Sequence, residues 1–137
     1  MLILLITIVI KALRGRNGNT PFSTGDKKLS LFVMITAHLQ LIFGGFLYAV
    51  SPTVQSAISN MGASMKDGVA RFWAVEHITI MILAIALLTI GHIKCKRAKG
   101  DQAKFKVQAL YFTLGLILIL ISIPWPFREV GFGRGWF

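Results

Sequence analysis

The feature that most constrains this chain is a set of long, unbroken apolar runs. Leu29–Val50, Phe72–Ile93 and Val107–Ile123 together hold a single formal charge, Glu76, and are apolar on every side rather than along one stripe. A helix apolar all round is either deeply buried in a large protein or immersed in lipid. A chain of 137 residues has too little interior to bury three such helices. A spanning helix needs about 20 residues at about 1.5 Å rise each. The first two runs meet that length, and the third reaches it with its flanks.

A fourth apolar segment, Met1–Leu13, is too short to span. It covers roughly 20 Å of a hydrocarbon core about 30 Å thick. As a signal-peptide core it has its positive charges on the wrong side and no small-residue cleavage site. The remaining readings are a half-spanning helix, or an internal methionine start with the outer end of the helix missing, and the second is preferred. The expected fold is therefore an all-α integral membrane four-helix bundle, a single transmembrane domain whose first helix is abbreviated. Its helices are expected near residues 1–13, 29–50, 72–93 and 107–123, with an external loop 51–71 and an external tail 124–137.

Fifteen Lys and Arg against five Asp and Glu give a net charge of +10. In a soluble protein that would suggest nucleic acid. Here the basic residues sit between apolar runs, where membrane topology explains them and no nucleic-acid partner is needed. Lys11, Arg14, Arg16, Lys27 and Lys28 crowd the first loop, and Lys94, Lys96, Arg97, Lys99, Lys104 and Lys106 the third; the second holds only Lys66 and Arg71. Loops 14–28 and 94–106 are thus expected in the cytoplasm. Loop 51–71 and the C-terminus are expected outside, in the periplasm if the chain sits in a bacterial inner membrane. Tyr48, Phe72, Trp73, Trp125 and Phe127 fall at the external boundary, as an aromatic belt would. Pro52 suits the first turn of a short interfacial helix over Thr53–Met65. Gly25-Asp26 and Gly100-Asp101 read as cytoplasmic turns. The tail Arg128–Phe137, rich in glycine and aromatics, is expected against the membrane surface or a partner.

Ionisable groups within a bilayer are costly and invite a functional reading. Cys95 is the lone cysteine, among Lys94, Lys96 and Arg97, and reads as a bystander. His92 precedes basic residues at a helix C-terminus, a favourable place for a cation. His38 and His77 are better candidates, because a neutral imidazole ligates metals and haem iron. Met34, Leu41 and Gly45 share the helical face of His38; Ala84, Leu88 and Gly91 share that of His77. Depth argues against one iron between the two: His38 lies roughly 18 Å from the external boundary and His77 about 8 Å. Each histidine has a plainer reading as an interhelical hydrogen-bonding residue. Glu76 is expected to pair with Lys66, Arg71 or Arg128, or else to exchange protons with a quinol in a pocket with Trp73, Trp125 and Arg128. Nothing suggests a hydrolytic or transferase site, and the discontinuous helices and repeated halves of transporters are not evident.

Several stretches together carry a resemblance: Gly25-Asp26-Lys27-Lys28-Leu29, Thr36-Ala37-His38-Leu39-Gln40-Leu41, Arg71-Phe72-Trp73-Ala74-Val75-Glu76-His77 and Ile123-Pro124-Trp125-Pro126-Phe127-Arg128, with Lys66-Asp67. From about Gly25 onward the chain resembles a family of small four-helix bacterial membrane proteins labelled cytochrome b or cytochrome b-like. The resemblance implies haem b, with the family's recurrent histidines falling on His38 and His77. It also implies a histidine-containing segment before the first helix, which this sequence lacks. The expected function is a cytochrome b-like subunit moving electrons within or beside a larger respiratory complex, at most an electron-transfer component rather than an enzyme in its own right. The alternative is a cofactor-free accessory subunit of a larger membrane complex.

Overall fold

The structure, a computed structural model, describes residues 1–18 and 20–131. The glycine-rich tail beyond Gly131 lies outside the described residues. The described residues are almost wholly helical: α1 (Leu2–Gly15), α2 (Thr24–Val50), α3 (Pro52–Ser59), α4 (Met61–Ser64), α5 (Gly68–Arg71), α6 (His77–Arg97) and α7 (Asp101–Ser122). A π-helical turn, Phe72–Glu76, joins α5 to α6, so that Gly68–Arg97 is one continuous rod of 30 residues. Three helices, Thr24–Val50, Gly68–Arg97 and Asp101–Ser122, are long and apolar enough to cross a membrane. They mark the chain as a membrane protein.

The three long helices begin or end several residues beyond their apolar runs, and local chemistry explains why. Ser23 caps α2: its hydroxyl accepts from the Asp26 N–H, and the Asp26 carboxylate accepts from the Ser23 N–H, a reciprocal capping box. Such a cap stabilises a helix start by about 1 kcal/mol. Gly25-Asp26 is therefore the first turn of α2 and not a loop turn. Lysines are good helix formers, so α6 continues through Lys94 and Lys96, and α7 takes in Lys104 and Lys106. Gly100 does form the turn between them, at φ +86°, a conformation that costs a residue with a Cβ. Beyond α2, Pro52 occupies the first turn of α3, and the segment is broken at Asn60 into α3 and α4.

α6 and α7 share the most extensive interface; α1 packs on α7 and more lightly on α2, and α2 packs on α6. Leu5, Ile8 and Ala12 recur at helical spacing on the inner face of α1 and are almost wholly buried. Leu5 and Ile8 join Val33 and Ala37 of α2, Ala84 and Leu88 of α6, and Phe112 and Ile119 of α7 in one core cluster, and Ala12 joins Phe22, Cys95, Phe105 and Ala109 in a second. Small residues let the backbones approach. A Cβ placed on Gly91 would lie 2.6 Å from the Tyr111 Cβ. At the basic end, Lys11 forms an ion pair with the buried Asp26, and Lys94 donates to the Tyr111 hydroxyl at 2.6 Å.

α2 is unlike the others. Its buried residues, Asp26, Ser30, Val33 and Ala37, all lie in its first half. Beyond them Leu39, Ile42, Phe43, Phe46, Leu47 and Val50 are exposed. A cavity opens between this second half of α2 and the α6–α7 pair.

Candidate functional site

The cavity has a volume of about 780 Å³, within the range of about 300–1,000 Å³ usual for small-molecule and cofactor sites. Its wall is mainly apolar: Leu41, Gly44, Gly45 and Leu47 from α2, Ile78, Met81 and Ile85 from α6, and Ile119 and Ile123 from α7. Met1 and Leu2 close one side, and Ser51–Val54 at the start of α3 another. A Cβ on Gly44 or Gly45 would meet nothing within 4 Å, so these glycines open space rather than permit helix contact. The polar groups on the wall include Gln40, Tyr48, Trp73, His77 and Ser122.

His77 is placed by the end of α7. The last carbonyls of a helix have no partners within it, and here the sequence removes two donors that would have continued the ladder. Pro124 cannot serve Leu120, and Pro126 cannot serve Ser122, because proline has no N–H. Pro124 also drives Ile123 to an extended conformation, with φ −67° and ψ 128°. Side chains take over. The Trp125 Nε1–H donates to the Leu120 carbonyl at 3.0 Å, Arg128 to the Ile121 carbonyl at 2.8 Å, and His77 Nδ1 to the Ser122 carbonyl at 2.9 Å.

That last bond sets the tautomer of His77. A carbonyl only accepts, so Nδ1 donates to it, and in a neutral imidazole so bonded the lone pair lies on Nε2. The fully buried Ser122 hydroxyl also lies 2.9 Å from Nδ1 and 3.5 Å from the His77 carbonyl. Nε2 has no hydrogen-bond partner among the described residues. Trp73 and Phe72 hold the ring, with centroids 5.8 Å and 5.7 Å from it. Both belong to the π turn, which ends immediately before His77. Such turns are uncommon and concentrate at functional sites. The Tyr48 hydroxyl donates to the Ala74 carbonyl inside the turn at 2.6 Å, tying the C-terminal end of α2 to it.

The other site candidates fall in different places. His38 is exposed and does not line the cavity; its Nδ1 bonds the Met34 carbonyl one turn back on α2 at 2.8 Å. It makes no hydrogen bond to another helix among the described residues. Glu76 pairs with Arg71 at 2.6 Å, and Arg71 also donates to the Met65 carbonyl. Trp73 donates to the Val130 carbonyl at 3.3 Å. Trp125 stacks on Phe127, and the Arg128 guanidinium lies 5.4 Å over Phe72. Phe72 itself is only 2% exposed and is a core residue rather than part of an aromatic belt. Trp73 is thus brought to the cavity with His77, whereas Trp125 and Arg128 close the end of α7 beside it. His92 bonds Ser30 across α6 and α2 at 2.8 Å, and Cys95 is buried.

Ser122 and Tyr48 are parts of the site that the sequence did not single out as such. The signal for Ser122 was present: two prolines four residues beyond Leu120 and Ser122 leave both carbonyls without backbone donors, so side chains must be recruited. No group of three or more His, Cys, Asp or Glu that would hold a metal ion occurs among the described residues.

Fold and site together define the class: a helical membrane protein with an apolar cavity and one oriented imidazole at its edge. Comparison with family models, with curated proteins and with solved structures returns no match.

Proposed function

We propose that the chain is a cytochrome b-like membrane subunit in which His77 offers Nε2 as an axial ligand to haem b in the cavity. The observation that carries this reading is the Nδ1–H···O=C bond from His77 to Ser122. In the neutral ring this bond places the lone pair on Nε2, the tautomer and anchoring that metal-bound histidines have. The donor set fits the group: a nitrogen ligand, an apolar wall, and the open space beside Gly44 and Gly45. Bound haem would supply one-electron chemistry, within or beside a larger respiratory complex. The chain's own part is to hold the imidazole through Ser122, pack it with Phe72 and Trp73, and keep water from the apolar wall. In the finer picture α1 completes a four-helix bundle, the basic loops lie in the cytoplasm, and the cavity opens toward the periplasmic side of a bacterial inner membrane. A quinol or partner would meet the outer surface near Glu76, Trp73, Trp125 and Arg128.

The second reading is a cofactor-free accessory subunit. What favours it is the position of His38, which leaves His77 as the only imidazole lining the cavity. There His77 is a cap for α7 and nothing more.

A dithionite-reduced minus oxidised absorption spectrum of the purified chain, reconstituted with haem, separates the two. The cytochrome reading expects a sharp b-type α-band that His77→Ala abolishes and His38→Ala leaves in place. Absence of the band in the parent chain would establish the accessory-subunit reading.

A further inference from the structure

A second cavity, about 360 Å³, lies at the opposite, basic end, between the start of α2, the end of α6 and the start of α7. Lys27, Lys28, Lys96 and Lys104 line it, and no carboxylate does. Lys104 reaches Asp101 at 3.6 Å, whereas Lys27, Lys28 and Lys96 have no ion-pair partner among the described residues. Ser30 and His92, bonded to each other, contribute polar atoms to the wall, and Phe22 and Leu31 contribute its apolar part. The positive-inside tendency accounts for lysines on this side of the membrane. It does not account for a concave site that gathers four of them around hydroxyl, imidazole and apolar surface.

The surroundings say where the ligand comes from. Lys27 and Lys28 immediately precede the apolar run of α2, so the cavity sits at the water–hydrocarbon boundary. From its edge an exposed apolar track, Leu31, Ile35 and Leu39, runs along α2 at helical spacing. A free phosphate would use the lysines and leave the track bare. A phospholipid uses both, its phosphate among the lysines and an acyl chain along α2. We propose that this cavity is a binding site for the phosphate headgroup of an anionic phospholipid. The site is independent of what the outer cavity holds.

The test uses the full chain in non-ionic detergent and native mass spectrometry with three probes: phosphatidylglycerol, phosphatidylcholine and inorganic phosphate. Each lysine near an anionic lipid surface strengthens attraction by about fivefold. The parent chain is expected to retain phosphatidylglycerol over phosphatidylcholine by about tenfold or more. The triple variant Lys27→Gln, Lys28→Gln, Lys96→Gln should lose that preference. Arg14→Gln, Arg16→Gln, Lys99→Gln removes the same charge outside the cavity and should keep it. Equal loss in the two triple variants would mean diffuse surface attraction and would overturn the site. Displacement of phosphatidylglycerol by inorganic phosphate alone would overturn the lipid assignment in favour of a soluble phosphate ligand. Should the triple variant not fold, single Lys27→Gln and Lys96→Gln variants against single Arg14→Gln and Lys99→Gln give the same discrimination.

Discussion

Gly91→Ala tests the α6–α7 interface directly. The added Cβ would stand 2.6 Å from the Tyr111 Cβ and 3.1 Å from Phe112 Cε2. Ordinary carbon contacts begin at about 3.5 Å, so roughly 1 Å of separation is required. The Tyr111 Cβ is fixed to its backbone and cannot swing aside. The helices themselves must part along the largest interface in the fold. Overpacking of this kind costs about 1–3 kcal/mol, while replacing glycine by alanine in a helix returns up to about 1 kcal/mol. Gly45→Ala makes the same change on α2, where the new methyl meets nothing within 4 Å. Propensity cancels between the two variants, and their difference isolates the steric cost, expected at about 1–3 kcal/mol with Gly91→Ala the less stable. Cys95 supplies the assay. It is the only cysteine and is 4% exposed, one turn from Gly91, so labelling by a thiol dye across a denaturant series reports opening of this interface. If Gly91→Ala labels no earlier than Gly45→Ala, the close approach of α6 and α7 is wrong.

Two further substitutions address buried polarity. Gln108 is wholly buried and neither end of its amide has a hydrogen-bond partner among the described residues, and an unsatisfied buried polar group costs about 1–3 kcal/mol; Gln108→Leu, close in volume, should raise the thermal midpoint in detergent, and a fall would show that the amide has a partner. Lys11→Gln removes the ion-pair partner of Asp26, whose side chain is 6% exposed while that of Lys11 is 49% exposed. The expected loss is about 1 kcal/mol, read as a lower unfolding midpoint near neutral pH, and it should vanish in Asp26→Asn, where no charge is left to pair.

The membrane character of the chain was legible because it rests on composition over long windows, which local geometry cannot overturn. Ala84, Leu88 and Gly91 could be placed on one face by their spacing, but small residues alone carried a weak signal, and only the neighbouring α7 shows that face to be packed. Helix ends were less legible. Apolar windows stop where charge begins, but helices stop where capping and backbone conformation say so, at Ser23 and at Gly100. His77 could be recognised from the sequence as a candidate but not placed, because its partner Ser122 lies 45 residues away and is selected by the proline-ended turn of α7. His38 shows the converse. Its residue type and place within an apolar run invited a ligand role, yet which way a helix turns its residues depends on where its neighbours lie, and the second half of α2 has few.

The π turn has a consequence for register. An ordinary helix advances about 100° per residue, so a single wheel drawn from Gly68 to Arg97 assumes one phase throughout. Phe72–Glu76 is wound more loosely, and the residues before it are offset from those after it. The π turn therefore sets one fixed offset between α5 and the length of α6 that follows it. Deleting Ala74 or Val75 from the turn would carry Trp73 out of step with the imidazole of His77. The turn thus sets the angle at which Trp73 meets the imidazole, and with it how the ring is held against α7.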